Sequence, residues 1–373
     1  MTGGLERLLT LTFGAEGNEA NYLGSGWSGN EPGIRWMVGP RSELWLENPS
    51  TGHGNDLVLE LDIGVIEMPI GHAASRLLIG VRGKGIAQIG VPRGGAIGFH
   101  IPASLSSSPG PMRIQFVHPD FRKPMDLYGG SDDRELSFSV RGLRLFRVLS
   151  RPIAAAGASL THDRMIMRFE SLGDNCEFGL VQRRLGAEPL GLLRFSFIEL
   201  PSLERGLRCG FDGLGDPASI DVIVEGHDRE FVVKESVYGM TYHTFQYEHQ
   251  ISLDTVRQQQ VARLHFLKRK LMEDAVAGEK IFVIKRTPPL RPEEVLPLYT
   301  TLNELGCNWL LWMVLADAAH PSGTVEVLLP GLLRGYVDRF APSENAHDLS
   351  LSAWTAVCEA AWRTAGNEIA GNE

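Results

Sequence analysis

One cysteine lies in a setting where a thiol can act as a nucleophile. Cys176 belongs to the segment RFESLGDNCEFGLVQRRLG, in which an apolar strand ends at Ser171-Leu172-Gly173 and a helix follows. We expect Asp174 or Asn175 to cap that helix, which places Cys176 in its first turn. Free N–H groups and the positive end of a helix favour a thiolate and can also stabilise an oxyanion. Gly173, Asp174 and Asn175 are therefore the candidate oxyanion residues.

A nucleophilic thiol needs a base, and His243 is the candidate. It lies among aromatic residues near the end of a strand-like segment, SVYGMTYHTFQYEHQ. Asp317, after the apolar segment WLLWMVLA, and Asp348, ahead of the last helix, are the candidate acids that would orient its imidazole. In the alternative interpretation Cys176 is a buried small apolar side chain, His243 makes a structural hydrogen bond and Asp348 caps a helix.

Composition limits the class of protein. The chain has 373 residues, a length that predicts two domains, and a formal net charge of -9, which argues against nucleic-acid binding. No apolar run is long enough for a membrane span, and the N-terminus has no signal-peptide pattern. The four cysteines are scattered without metal-ligand spacing, so we expect no metal, no cofactor and a cytoplasmic protein with reduced thiols. The sequence does not predict the oligomeric state.

The first part of the chain has the pattern of an all-β domain. More than half of the 42 glycines lie in residues 1–150, and short alternating stretches such as DLVLELDI, MRIQFVH and ELSFSVRGLRLFRV stand between turn signals. This pattern predicts a β-sandwich of jelly-roll type over residues 1–149. The glycine-rich segment RGKGIAQIGVPRGGAIGFHIP lacks the order of a phosphate-binding loop, so we exclude nucleotide binding there.

The second part alternates helices and strands. A Pro/Ala/Gly/Ser-rich segment, residues 150–163, is interpreted as a linker. Residues 164–373 are predicted to form an α/β or α+β domain with a mixed sheet. Its clearest elements are an apolar strand from Met165 to Leu172, helices at 175–185, 252–277, 292–305 and 351–364, and strands within 220–247, 280–285 and 309–315.

The second part also resembles a bacterial family described as papain-like cysteine peptidases, otherwise of unknown function. Its Ser-Leu-Gly-x-x-Cys motif corresponds to Ser171, Leu172, Gly173 and Cys176, and the resemblance covers roughly residues 165–315. A histidine followed by a basic amphipathic helix and an apolar strand completes the pattern. The chain departs from the family at LLRFSFI, where members have a Pro-Phe-Asp-Trp-like element. The resemblance implies a cysteine-dependent hydrolase acting on a peptide or ester.

The Gly-Asp-Asn-Cys turn is also similar to a motif of bacterial capsule-polysaccharide acyltransferase-like proteins, in which a Cys and a His lie beside a coenzyme A pocket. That resemblance implies acyl transfer or ester hydrolysis in surface-polysaccharide biosynthesis. Both chemistries need a thiolate that attacks a carbonyl carbon. A third hypothesis is a non-catalytic glycan-binding assembly protein in which Cys176 is inert.

The segment NYLGSGWSGNEPGIRWMVGPRSELWLEN resembles β-sandwich modules found beside bacterial glycosyltransferases and surface-polysaccharide enzymes. The resemblance implies a carbohydrate-binding module, with Trp27, Glu31, Arg35 and Trp36 as the candidate glycan-binding residues. Trp27 stands between small residues and is predicted to be exposed. The alternative is that tryptophans fill the core between two sheets, which we favour for Trp36 and Trp45.

Overall fold

A computed structural model of the chain describes residues 4–47, 55–66, 74–149, 160–342 and 345–370. The chain divides into two compact units. One comprises Leu5–Leu149 together with Pro292–Pro297, and the other comprises the remainder. Of the predicted linker, residues 150–159 lie outside the described residues, and a helix begins at His162. No helix in the described ranges combines the length and the apolar character needed to cross a bilayer.

The first unit is an antiparallel β-sandwich of two sheets. Its strands are β1 (Leu5–Thr12), β2 (Arg35–Val38), β3 (Arg41–Leu46), β4 (Leu57–Val65), β5 (Ser75–Val81), β6 (Lys84–Val91), β7 (Gly95–Ile101), β8 (Met112–Val117) and β9 (Leu136–Val148). One sheet has the order β1-β9-β4-β7, with β2 also paired to β9, and the other has the order β3-β8-β5-β6. Two short helices, α1 (Ala103–Ser106) and α2 (Pro124–Tyr128), lie in the connections.

The sandwich core follows from alternation along these strands. On β3 and β8 every second side chain is buried, and on β4 and β9 the inward residues join the same apolar cluster. Leu44, Leu59, Ile114 and Phe138 are fully buried members of that cluster, which draws on both sheets. The predicted β-sandwich is confirmed, and each of the short alternating stretches forms a strand.

The second unit contains two sheets and most of the helices. Its strands are β10 (Phe169–Ser171), β11 (Ser196–Phe197), β12 (Ile220–Glu225), β13 (Glu230–Glu235), β14 (Met240–Tyr247), β15 (Ile281–Ile284), β16 (Trp309–Leu315), β17 (Val325–Leu329) and β18 (Leu332–Val337). The helices of this part of the chain are α3 (His162–Ile166), α4 (Glu177–Arg184), α5 (Leu200–Arg208), α6 (Leu253–Ala277), α7 (Pro292–Leu305) and α8 (Leu351–Ala370).

The larger of the two sheets is mixed. Its order is β10-β15-β16-β18-β17; the first four strands run parallel and β17 is antiparallel to β18. Side chains of α3, α4 and α8 pack in one apolar cluster with these strands, around the fully buried Trp354. The predicted α/β domain with a mixed sheet is therefore confirmed. The apolar run from Met165 to Leu172 is shorter as a strand than predicted, because its start lies in α3 and only Phe169–Ser171 pairs with β15.

The smaller sheet is antiparallel, with the order β11-β14-β13-β12, and α6 packs against it. The predicted helix at 252–277 begins and ends as its residues indicate. Ser252 is the N-cap and its side chain accepts a hydrogen bond from the backbone N–H of Thr255, while Gly278 ends the helix in the left-handed conformation. This helix and sheet position the residues that face Cys176.

Candidate functional site

The Cys176 turn joins β10 to α4 through a strained backbone. Gly173 has φ +86° and Asp174 has φ +105°, a region that side-chain-bearing residues seldom adopt. Asn175 supports the turn, since its Oδ1 accepts a hydrogen bond of 2.9 Å from the backbone N–H of Glu177. Cys176 is the N-cap of α4 and is partly buried, so the prediction that it lies in the first turn of the helix, after a cap at Asp174 or Asn175, is wrong by one position. The predicted strand-to-helix turn is thus present, at the carboxyl end of β10, an edge strand of the mixed sheet.

A buried cation holds this turn in place. Lys285, the residue after β15, lies 2.9 Å from Asp174 Oδ2 and 3.0 Å from Glu177 Oε2, with its side chain only 3% exposed. The other Glu177 oxygen accepts a hydrogen bond of 2.9 Å from the indole N–H of Trp354. Because a buried charge without its partner is destabilising, these contacts stabilise the backbone conformation of the turn. They also explain why Asp174 keeps its unusual backbone conformation.

Arg286, next along the chain, is the second cation beside Asp174. Its Nη1 lies 3.8 Å from Asp174 Oδ1, and none of its guanidinium nitrogens has a hydrogen-bond partner among the described residues. Burial lowers the pKa of Arg286, and the nearby carboxylates of Asp174 and Glu199 oppose that effect. The positive charges of Lys285 and Arg286 match the negative charges of Asp174 and Glu177. We therefore interpret this cluster as structural: it stabilises the turn.

The thiol of Cys176 does not show the lowered pKa predicted from the helix terminus. Burial raises its pKa, the negative charge of Glu230 raises it further, and the positive charge of Arg183 acts in the opposite direction. The expectation of a resting thiolate is therefore wrong, because desolvation and a carboxylate outweigh the helix end. A thiol at this position needs a base that removes its proton during attack.

His243 lies on β14 and is held by a carboxylate of the neighbouring strand. Its Nδ1 is 3.1 Å from Oε2 of Glu230 on β13. The Glu230 side chain is 13% exposed and that of His243 is 52% exposed. A carboxylate on Nδ1 fixes a proton there and leaves Nε2 as the basic nitrogen. Glu230 thus takes the orienting position for which Asp317 and Asp348 were predicted.

Cys176 and His243 line one cavity of about 400 Å³ in the second unit. We call it the cysteine cavity, and its lining includes Asn175, Cys176, Phe195, Thr241, Tyr242 and His243. Within the described residues no hydrogen bond joins the sulfur to an imidazole. The structure therefore brings the predicted nucleophile and base to the same cavity without a formed pair between them.

The backbone around the cysteine offers donors for an oxyanion. The N–H groups of Asp174, Asn175 and Cys176 donate to no acceptor in the part of the chain that the structure describes, whereas the N–H of Gly173 lies 3.2 Å from Ser171 Oγ. All three residues line the cysteine cavity. Gly173 therefore differs from the other two predicted oxyanion residues, since its N–H is already in contact with a hydroxyl.

The two predicted acids lie elsewhere and have partners of their own. Asp317 accepts hydrogen bonds from the backbone N–H groups of Ala319 and His320 and is 2.9 Å from His320 Nδ1. Asp348 forms an ion pair of 2.7 Å with Arg339. Neither contacts His243. The sequence does not indicate Glu230, because its contact with His243 depends on how β13 pairs with β14. Lys285 does have a local signal, since it is a charged residue directly after an apolar strand.

The predicted glycan-binding residues of the first unit are mostly engaged within the fold. Arg35 is buried and its Nε lies 2.8 Å from Glu19 Oε1. The ring of Trp27 packs against the sandwich core beside Phe13 and Phe116, and its indole N–H donates to the Glu43 carbonyl. The prediction that Trp27 is exposed is therefore wrong, since the indole fills space at the margin of the core.

Trp36 and Glu31 lie closer to the surface than Arg35. Both are partly buried, and the Trp36 indole N–H is 3.2 Å from Glu31 Oε2, while Glu31 also pairs with Arg134 at 2.6 Å. Trp45 is 44% exposed, so its predicted place in the core is wrong. It extends outward from β3 with the Arg113 guanidinium 5.7 Å from its ring.

No family model matches the sequence, and no curated protein is similar to it. Solved structures similar to the chain include the C-terminal CBM6 of the laminarinase LamC from Zobellia galactanivorans, at 9% identity, 37% of this chain, 97% of that chain and a TM-score of 0.23. A family 35 carbohydrate-binding module from an environmental isolate gives 15% identity, 39% and 93% coverage, and a TM-score of 0.20. The CBM2 module of the evolved Dit of Lactobacillus casei BL23 phage J-1 is 10% identical, covers 41% of this chain and 100% of its own, and has a TM-score of 0.25.

These three similar structures are carbohydrate-binding modules, and each covers 37–41% of the chain. The chain spans only 51% of another similar structure, the ANX2 ectodomain of Arabidopsis thaliana. Identities and TM-scores this low transfer neither a ligand nor an activity to this chain. The function must be argued from the sites themselves.

Proposed function

We propose that the second unit is a cysteine-dependent hydrolase or acyl-transfer domain with Cys176 as nucleophile and His243 as base. The observation that carries the proposal is that both residues line the cysteine cavity while Glu230 holds the Nδ1 of His243. Nucleophile, base and orienting acid are the three roles that covalent acyl chemistry requires. Peptide, amide, ester and thioester carbonyls all fit this chemistry.

In the first step Nε2 of His243 removes the thiol proton as the sulfur bonds to the carbonyl carbon. The N–H groups of Asp174, Asn175 and Cys176 are the donors we assign to the oxyanion that forms. As the carbon–leaving-group bond breaks, the imidazolium returns its proton to the leaving group, and an acyl-thioester on Cys176 remains. A water or acceptor hydroxyl then attacks that thioester while His243 takes its proton. The carbon–sulfur bond breaks, and the imidazolium returns the proton to the sulfur to regenerate the thiol.

The raised pKa of Cys176 favours one version of this chemistry. A resting thiolate–imidazolium pair would need a lowered pKa, whereas burial and Glu230 raise it. We therefore assign His243 as a base that removes the thiol proton during attack.

The test uses p-nitrophenyl acetate, whose acyl group needs no specific recognition. The full chain should release p-nitrophenol, and mass spectrometry of a rapidly quenched sample should find one acetyl group on the Cys176 peptide. Cys176→Ala should abolish the acetyl group, and His243→Ala should slow acylation by about 10²-fold or more. Cys209→Ala, which removes an exposed cysteine elsewhere, is the control and should behave as the native chain. Equal acetylation of Cys209 and Cys176 would contradict the proposal.

A second candidate function, glycan binding by the first unit, is favoured by the exposed indole of Trp45. Its neighbours are polar groups suited to hydroxyls: Arg113, whose Nη2 bonds Glu43, and Gln115, whose side-chain N–H is 3.2 Å from the same carboxylate. A solvent-facing indole flanked by such groups offers an apolar face and hydrogen bonds together. We propose Trp45 as the contact, in place of Trp27 and Arg35.

Affinity electrophoresis in gels containing laminarin, xylan or polygalacturonate tests this candidate. Retardation that is lost in Trp45→Ala and kept in Trp36→Ala supports it. Loss with Trp36→Ala instead would return the site to the predicted Trp36 and Glu31. A mobility that none of the three polysaccharides alters counts against binding of neutral and acidic glycans of these types.

A further inference from the structure

A second cavity of about 460 Å³ lies in the same unit and is lined by aromatic and arginine side chains. We call it the aromatic cleft, and its lining includes Arg183, Arg194, Phe195, Phe245, Arg263 and Phe266. Phe245 is 53% exposed and Phe266 is 44% exposed. Large exposed aromatic side chains gathered in one concave surface mark a binding site more often than chance exposure does.

The backbone directs Phe245 into this cleft at a conformational cost. The pairing of β13 with β14 shifts register between Glu230 and Val232, and Phe245 has φ +56° within that irregularity. The N–H of Phe245 donates a hydrogen bond of 2.7 Å to Glu230 Oε1. Irregularities of this kind re-aim a side chain, here placing the Phe245 ring edge-on to Phe195 with centroids 6.1 Å apart.

The charge of the cleft is positive. Arg183 and Arg194 share one carboxylate, each 2.6 Å from an oxygen of Glu188. Arg263 lines the cleft from α6 and, among the described residues, has no acidic partner. Its guanidinium lies 5.8 Å from the Tyr242 ring centroid. Three guanidinium groups against one carboxylate favour an anionic ligand, and Arg263 is the group left to bind it.

The aromatic cleft adjoins the cysteine cavity. Phe195 lines both, and His243, Phe195 and Arg263 also line a third, small cavity of about 10 Å³. Because Phe195 forms a wall of both, a group attached close to a carbonyl at Cys176 has the aromatic cleft as its neighbouring binding surface.

We propose that the aromatic cleft selects the substrate: it binds an aromatic side chain on the three phenyl rings, with an adjacent carboxylate on Arg263. This inference rests on the proposed thiol chemistry for its link to Cys176. The substrate class is then an acyl compound, such as a peptide end, that carries an aromatic group and a free carboxylate near the reacting carbonyl.

The test compares three electrophiles that alkylate Cys176: N-chloroacetyl-L-phenylalanine, its C-terminal amide, and N-chloroacetylglycine. Rates are measured by mass spectrometry of the Cys176 peptide in the full chain and are normalised to the rate with iodoacetamide. We expect the phenylalanine acid to react about tenfold faster than either of the others. The amide lacks the carboxylate that Arg263 would bind, and the glycine compound lacks the ring that the phenyl side chains would contact.

Two variants assign the preference to residues. Arg263→Gln should remove the difference between the acid and the amide, and Phe245→Ala should remove the difference between phenylalanine and glycine. Arg257→Gln, on the same helix but outside the cleft, is the matched control and should leave both ratios unchanged. Equal rates for the three electrophiles, alongside rapid reaction with iodoacetamide, would overturn the cleft and leave the thiol chemistry intact.

A binding measurement tests the aromatic cleft without relying on the thiol chemistry of Cys176. Titration of Cys176→Ser with N-acetyl-L-phenylalanine, followed by ligand-observed NMR, should show saturable binding that Arg263→Gln weakens about tenfold. Binding of this kind in a protein whose Cys176 fails to acylate would refute the thiol chemistry and retain the cleft. Absence of binding would refute the cleft.

Discussion

At the level of single residues, Glu230 is the side chain on which the site depends most. It accepts from His243 at one oxygen, and its charge raises the pKa of Cys176. In Glu230→Gln the two roles separate. Loss of the charge should lower the pKa of Cys176 and speed its alkylation by iodoacetamide near neutral pH. Loss of the orienting carboxylate should slow turnover of p-nitrophenyl acetate by about 10²-fold.

Unfolding would also expose the thiol and abolish turnover, so the two rates test the mechanism only in a variant that is folded. Circular dichroism checks that the variant is folded. Glu248→Gln, an exposed carboxylate paired with Arg229, is the control and should alter neither rate. Slower alkylation in Glu230→Gln would mean that its carboxylate does not act on the thiol as described.

Lys285 stabilises the turn that carries Cys176. In Lys285→Met the carboxylates of Asp174 and Glu177 lose the buried cation that lies about 3 Å from each. We expect the free energy of unfolding to fall by about 3–5 kcal/mol, the usual cost of removing one partner from a buried ion pair. Urea denaturation measures this change.

The control for that prediction is an ion pair of the same type at the surface. Lys234 lies 3.3 Å from Glu225, and both side chains are about half exposed. Lys234→Met should change the free energy of unfolding by less than about 1 kcal/mol. Similar losses for the two lysine variants would show that burial does not strengthen the Lys285 contacts.

At the level of elements, two glycines that end helices allow backbone conformation to be separated from packing. Gly278 after α6 has φ +68° and Gly210 near the end of α5 has φ +64°. A Cβ at Gly278 would lie 2.8 Å from the carbonyl oxygen of Gly306, whereas a Cβ at Gly210 would meet nothing within 4 Å. Gly210→Ala should therefore cost about 1 kcal/mol, and Gly278→Ala roughly 1–3 kcal/mol more.

Thermal unfolding of the two alanine variants measures this difference. If they lose equal stability, the close approach of Gly278 to Gly306 contributes nothing, and the left-handed conformation alone explains both glycines.

The elements that local sequence dictates were predictable. The helix at 252–277 has its cap and its stop in the sequence, and the strand at 309–315 is an apolar run that the structure reproduces. β10 was overestimated because an apolar run cannot show where α3 ends and the strand begins. The glycine-rich segments that form β6 and β7 have weak alternation, so the sequence does not predict these two strands.

The sequence singled out Cys176 and His243, which line one cavity, but it did not single out the carboxylate that lies beside His243. Cys176 has local signals on both sides, namely the end of a strand, a glycine and a capping residue. Glu230 has none, because it meets His243 through the register of β13 and β14, which depends on the irregularity at Phe245. The burial of the thiol could not be predicted from the sequence either. The position at a helix end favoured a lowered pKa for Cys176, whereas burial raises it.

At the level of the whole molecule, one buried histidine should make the β-sandwich sensitive to acid. His118 is fully buried, with Nε2 2.9 Å from Ser42 Oγ and Nδ1 2.8 Å from Ser137 Oγ. Burial lowers the pKa of His118 from 6.5 to about 4. The unfolded chain therefore binds more protons between these values, and stability falls as the pH drops from about 6.5 to about 4, by up to about 3 kcal/mol in all.

Calorimetry at a series of pH values follows the unfolding of this unit. In His118→Gln, whose amide is neutral throughout, the slope between pH 6.5 and 4 should become shallower, whatever the overall stability of the variant. A native protein with constant stability over that interval would show that His118 is charged, or accessible, in the folded state.

The two oxygens of Glu230 have a consequence for how this protein can evolve. One holds the imidazole and the other holds the backbone N–H of Phe245, so the carboxylate to which we assign the orienting role also holds a wall of the neighbouring cleft. If both proposals hold, a substitution of Glu230 should alter turnover and selectivity in a single event. Descendants that acquire new ligands should therefore diverge first at Phe266 and Arg263, which can vary without touching that shared anchor.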